Sequence, residues 1–106
     1  MNTGCIAIFV TCSSLAEARR IVGSLLKKRL VACGNILSGA ESRFRWAGKV
    51  DKAAEVVLML KTLSKNFRSV EREVRRIHSY EVPEIIAFPI ISGSRNYLRW
   101  IKESVS

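Results

Sequence analysis

The sequence predicts an α+β fold whose elements run β-α-β-β-α-β, with one further helix at the C-terminus. Three observations predict it. Short apolar, β-branched runs occupy residues 5–12, 30–36, 55–62 and 84–91. Apolar residues recur at helical spacing over 14–29 and 64–78. A short turn joins the two middle strand runs, whereas helices make the other connections. Right-handed crossovers then place both helices on one face of a four-stranded antiparallel sheet, which is the split-βαβ, ferredoxin-like plan.

The first strand is Cys5 to Cys12, whose residues are β-branched or apolar. Ser14 followed by Glu17 is a capping box, in which each side chain can satisfy the other's end of the new helix. Leu15, Ala18, Ile21, Val22, Leu25 and Leu26 form that helix's apolar side, with Arg20 and Lys27 opposite. Leu30 to Ile36 is the second strand. Residues 37–40 interrupt it, and the glycine there predicts a bulge or bend before alternation resumes over Ser42–Trp46. Residues 47–49 turn the chain into a third strand over Glu55–Thr62, giving a hairpin.

Ser64 is the expected cap of the second helix, which carries Phe67, Val70, Val74 and Ile77 on one side and Lys65, Arg68, Arg72, Arg75 and Arg76 on the other. Residues 79–83 break it at Pro83. The fourth strand, 84–91, contains Pro89, which cannot donate a ladder hydrogen bond, so the strand belongs at a sheet edge. Tyr97 to about Ser104 closes the chain as a short helix. The sheet face opposite the two long helices lacks a cover, and bare apolar side chains there favour oligomerisation.

Composition narrows the functional classes. With 106 residues there is room for one domain, spanning 1–106. A 48% hydrophobic and 25% charged composition is that of a globular chain. No apolar run approaches the ~20 residues a membrane span needs. The start of the chain lacks a basic leader region and reads as a strand rather than a signal peptide. Three cysteines, an odd number with no Cys-x-x-Cys spacing, argue against a disulfide framework and a zinc finger, and point to a reducing, cytoplasmic setting. The net charge of +9 raises anionic partners. Basic outer faces are routine for helices on a sheet, and the strands lack the aromatic motif of an RNA-recognition sheet, so nucleic acid is not expected as a partner.

No Ser-His-Asp arrangement, glycine-rich phosphate loop or outstanding acid pair is present, so the chain is not expected to be an enzyme. The residues with ligand chemistry are few. Cys12 precedes a helix N-terminus, which favours a thiolate, although a buried cysteine serves equally as a small apolar residue. His78 ends the second helix with Tyr80, Glu81 and Glu84 close behind, a setting for a metal ligand or for a plain helix C-cap. Cys33, within the second strand, reads as core.

Six blocks together resemble one family. They are Val10-Thr11-Cys12; Leu30 through Ile36 with Ala32-Cys33-Gly34-Asn35; Ser42 through Lys49; Glu55 through Thr62; His78 through Ala87; and Tyr97 through Ile101. In this order and spacing they are similar to the CutA family of divalent-cation tolerance proteins, over about residues 5–104. The resemblance implies a homotrimer with its sheets toward the trimer axis, architecturally like PII-type signalling trimers. It implies copper or other divalent-cation binding, with Cys12, His78 and Cys33 at the matching positions. A soft thiolate with an imidazole suits copper. Lys61, Tyr80, Glu81 and Glu84 match positions near the family's intersubunit cleft, and Trp46 and Trp100 become interface or core anchors. The alternative it leaves open is a PII-like sensor or scaffold that takes an anionic ligand or a protein partner in that cleft. Here Ser13-Ser14 replaces the family's common Pro-Asp or Pro-Asn, Ser79 replaces the proline of His-Pro-Tyr, and Phe44 replaces a tyrosine.

Overall fold

The computed structural model describes residues 2–106. The elements are β1 (Cys5–Cys12), α1 (Leu15–Lys27), β2 (Cys33–Trp46), β3 (Lys49–Leu63), α2 (Phe67–Ile77), β4 (Ile85–Pro89) and α3 (Arg95–Ser104). The four strands form one antiparallel sheet in the order β2-β3-β1-β4. This is the expected ferredoxin-like topology, with the Pro89 strand at an edge.

Alternation along the strands divides the sheet into two faces. Ile6, Ile8, Val10 and Cys12 of β1 and Val56, Leu58 and Leu60 of β3 point into the core. Ala18, Ile21, Val22 and Leu25 of α1 and Val70 and Val74 of α2 close over them. Gly34 of β2 lets the sheet approach α1 closely: a Cβ there would stand 3.0 Å from both Leu60 and Val22.

The helix ends differ from their sequence reading in instructive ways. Ser14 does cap α1, its hydroxyl accepting from the Glu17 N–H at 3.1 Å. The Glu17 carboxylate, however, does not return to Ser14. It accepts from the backbone N–H and the hydroxyl of Ser13. The helix stops at Lys27 rather than residue 29, because Arg29 takes a left-handed turn with φ of 57°. Ser64 does not cap α2. Its hydroxyl donates to the Gly4 carbonyl, Ser64–Asn66 forms one 3-10 turn, and the α-helix begins at Phe67. Between α1 and α2, the buried Glu73 carboxylate accepts from Ser24 and Arg76 and pairs with Lys28 at 3.0 Å. The Arg76, Ser24 and Lys28 bonds hold it well below the usual carboxylate range.

The β2–β3 hairpin extends past the end of β1, whose last residue, Cys12, lies opposite Val56. Seven further pairs, from Ala40↔Glu55 to Trp46↔Lys49, form an arm with no third strand. At its root, three steps along β2 from Leu37 to Ala40 match two along β3 from Val57 to Glu55. The extra residue is a bulge, made at Gly39 with φ of +88°. It reverses the alternation, so Phe44 and Trp46 point to the same face as Leu37.

That face is the one without α1 and α2. The Cys33 thiol lies 3.7 Å from the Tyr97 hydroxyl, which places α3 across its Cys5–Cys33 end. The rest is bare. Phe88 is 51% exposed, Ile86 44% and Trp46 52%. Phe9 and Phe88 stack edge to face at 5.2 Å. No helix among the described residues is long and apolar enough to cross a membrane.

Candidate metal centre

Three chain ends converge where β1 stops: the last residue of β1, the first turn of α1 and the C-cap of α2. Cys12, Glu17 and His78 offer one sulfur, one oxygen and one nitrogen, all within 4.8 Å of one another and all buried. The fold brings them together for ordinary reasons. β1 leads into α1 through Ser13 and Ser14, so Cys12 and Glu17 share a corner. α2 runs antiparallel to α1, so its C-terminus returns to the start of α1.

Two of the three donors, His78 and Glu17, already have hydrogen-bond roles. The His78 Nε2–H donates to the Thr11 carbonyl at 2.7 Å, and Nδ1 accepts from the Tyr80 N–H at 3.1 Å. These partners select the neutral ring with its proton on Nε2. The backbone N–H of His78 closes α2 on Val74 at 2.8 Å, so the C-cap reading of this residue also holds. Glu17 Oε1 takes Ser13, and Oε2 takes the Ser79 N–H at 2.7 Å. The carboxylate therefore ties the loop before α1 to the loop after α2. Burial works to raise the Glu17 carboxyl, but hydrogen bonds from Ser79 and Ser13 outweigh it and hold it down to about 2. The Cys12 thiol is pushed up to about 12 by burial and then by the negative charges of Glu17 and Glu55. The helix N-terminus does not make it a thiolate.

The donor set suits a soft or borderline cation, since sulfur and imidazole nitrogen favour copper and zinc and the carboxylate adds charge. The negative field that keeps the proton on Cys12 also favours a cation in its place. Loading the cluster requires that proton to leave and one His78 ring nitrogen to give up its present hydrogen bond.

Cys33 lies elsewhere. It pairs with Lys61, which pairs with Ala7, so it points to the face opposite Cys12. It is also five residues along β3 from the partner of Cys12, roughly 17 Å away. Its neighbour is Tyr97, whose hydroxyl is raised above its usual range by burial and then by the Cys33 contact. Glu17 is the donor that sequence reading missed. Its capping position signalled only a helix start.

The cleft residues also divide. Trp46, Tyr80, Glu81 and Glu84 line one open cleft of about 820 Å³ between the hairpin arm and the 79–84 loop. Tyr80 donates to Glu55 at 2.7 Å, and burial, then this bond, pushes its hydroxyl up to about 12. Lys61 is not in the cleft. It stands six residues from Glu55 along β3 and donates to Asn35. Without it the cleft carries Asp51, Glu55, Glu81 and Glu84 against Arg43 and Lys52, a poor receptor for an anion.

Comparison with known proteins gives the family. Residues 6–104 match the model of the CutA1 divalent ion tolerance protein. The chain is 40% identical over 97 residues to the divalent-cation tolerance protein CutA of Thermus thermophilus, covering 92% of this chain and 94% of that one. It is 39% identical over 99 residues to the chloroplastic CutA 1 of Oryza sativa, covering 93% of this chain and 56% of that one. The solved structure of CutA1 from Oryza sativa superposes with a TM-score of 0.95 at 37% identity, covering 99% of this chain and 96% of that one. Near-complete agreement of fold and a match along almost the whole sequence place the chain in the CutA1 divalent ion tolerance family.

Proposed function

We propose that this chain is a non-enzymatic, cytoplasmic homotrimer that holds divalent cations as cargo, copper foremost, at the cluster of Cys12, Glu17 and His78. The observation that carries this is the convergence of three ligand types within 4.8 Å in a member of a divalent ion tolerance family. Trimer formation is supported by the bare sheet face and the unpartnered hairpin arm, which need a second chain to cover Phe88, Ile86 and Trp46. The three cysteines are unpaired, in keeping with a reducing compartment. The chain supplies three buried ligand atoms, a fixed imidazole and the Glu17 charge, and it exchanges a proton and one hydrogen bond for the cation.

Titration calorimetry of the reduced protein with copper and with zinc, under anaerobic conditions, tests the site. Cys12→Ala combined with His78→Gln is expected to weaken binding by about tenfold or more, the order seen when metal-site partners are removed. Cys33→Ser is expected to leave it unchanged. Unaltered binding in the double variant, with its fold intact by circular dichroism, overturns the assignment.

A further inference from the structure

The charge of this chain is concentrated on one layer. Residues 15–29 and 64–77, the two long helices and their ends, carry ten basic and three acidic side chains, a net +7. The remainder carries eight basic and six acidic side chains, a net +2 of the total +9. Two of the three acids in the helix layer, Glu17 and Glu73, are buried and committed to internal bonds, so they do not offset the outward field. Arg19, Arg20 and Lys27 on α1 and Arg72 and Arg75 on α2 are exposed and have no carboxylate partner among the described residues.

Against the expectation from sequence patterning, we propose that the outer face of α1 and α2 docks on the phosphate backbone of double-stranded DNA without reading its sequence. Three features select this partner. Seven of the ten cations in the layer are arginine, whose planar fork binds phosphate in a bidentate way. The layer presents no aromatic platform: Phe67, its one aromatic residue, packs against the core, so single-strand base stacking has no support. Of its large apolar residues only Leu15 and Leu26 are exposed, too few to enter a lipid interface. The helices lie side by side, bridged by Ser24, Lys28 and Glu73, at the ~10 Å spacing of packed helices. That separation is close to the ~12 Å width of the duplex major groove, so the two cationic rows can meet phosphates on both of its banks. The layer faces away from the proposed trimer contact and stays open in the assembled protein.

The test is fluorescence polarisation of the full chain with a labelled duplex of arbitrary sequence, from low to moderate potassium chloride. Contact with four or five phosphates gives a slope of log K against log salt of roughly −4. Arg72→Glu with Arg75→Glu is expected to lower affinity about tenfold or more and to make the slope shallower by about 2. Arg95→Glu with Arg99→Glu, an equal charge change on exposed residues of α3, is expected to leave affinity within about twofold, because the field is local. Circular dichroism confirms the fold of both variants. Equal losses in the two variants, no duplex binding at ~50 mM salt, or tighter binding to phosphatidylserine vesicles than to duplex overturns the proposal.

Discussion

Replacing Ile86 and Phe88 with glutamate is expected to convert the proposed trimer to monomer. The two residues lie on β4, paired with Phe9 and Ala7 of β1, on the face that α1 and α2 leave bare. Phe88 already stacks on Phe9, so the patch is an ordered apolar surface rather than scattered side chains. A bare patch of this kind marks an interaction site. A carboxylate buried in such a contact loses its water without gaining a partner, at a cost of several kcal/mol per ion. In the monomer the same carboxylates stay solvated, so the fold tolerates them. Analytical ultracentrifugation reads the outcome directly. A wild-type trimer and a folded monomeric variant are the expected pair. A variant that stays trimeric places the contact elsewhere, with the hairpin arm as the next candidate.

Glu17→Ala is expected to destabilise the subunit by about 2–3 kcal/mol and to lower Tm by on the order of 10 °C. Glu17 is 3% exposed, and its carboxylate accepts from two backbone N–H groups in different loops, those of Ser13 and Ser79. Its removal orphans both donors and cuts the tie it makes between the loop before α1 and the loop after α2. Ser13→Ala removes the hydroxyl's contacts with Glu17 and Ser79 and leaves both backbone donors paired, so its effect stays at ~0.5–1 kcal/mol. Thermal unfolding of the two variants separates a structural clamp from a simple helix cap. Similar small losses in both contradict the clamp.

The reach of the sequence follows from what periodicity encodes. β1, the apolar sides of α1 and α2, the edge position of β4 and the bulge in β2 all leave local patterns, because each depends on alternation, helical spacing, Pro89 or Gly39. The start of β3 does not. Residues 49–54 read Lys-Val-Asp-Lys-Ala-Ala, and no core lies behind the arm to impose alternation. These residues are strand because their backbone pairs with β2, six positions before the expected start at Glu55. The site was legible in part for a related reason. Cys12 and His78 stand at element ends where ligand chemistry is conspicuous. Glu17 has a complete local explanation as a cap, and only the return of α2 brings Ser79 and His78 to it. Whether Cys33 and Lys61 face the same side as Cys12 depends on strand register, which residue types alone do not specify.

Native mass spectrometry of the reduced wild-type protein during a copper titration tests the central claim most directly. The account predicts a trimer near 36 kDa, three times 11.9 kDa, that takes up copper in steps to one ion per subunit. A trimer that takes up none contradicts the metal centre at Cys12, Glu17 and His78, and a monomer contradicts the assembly.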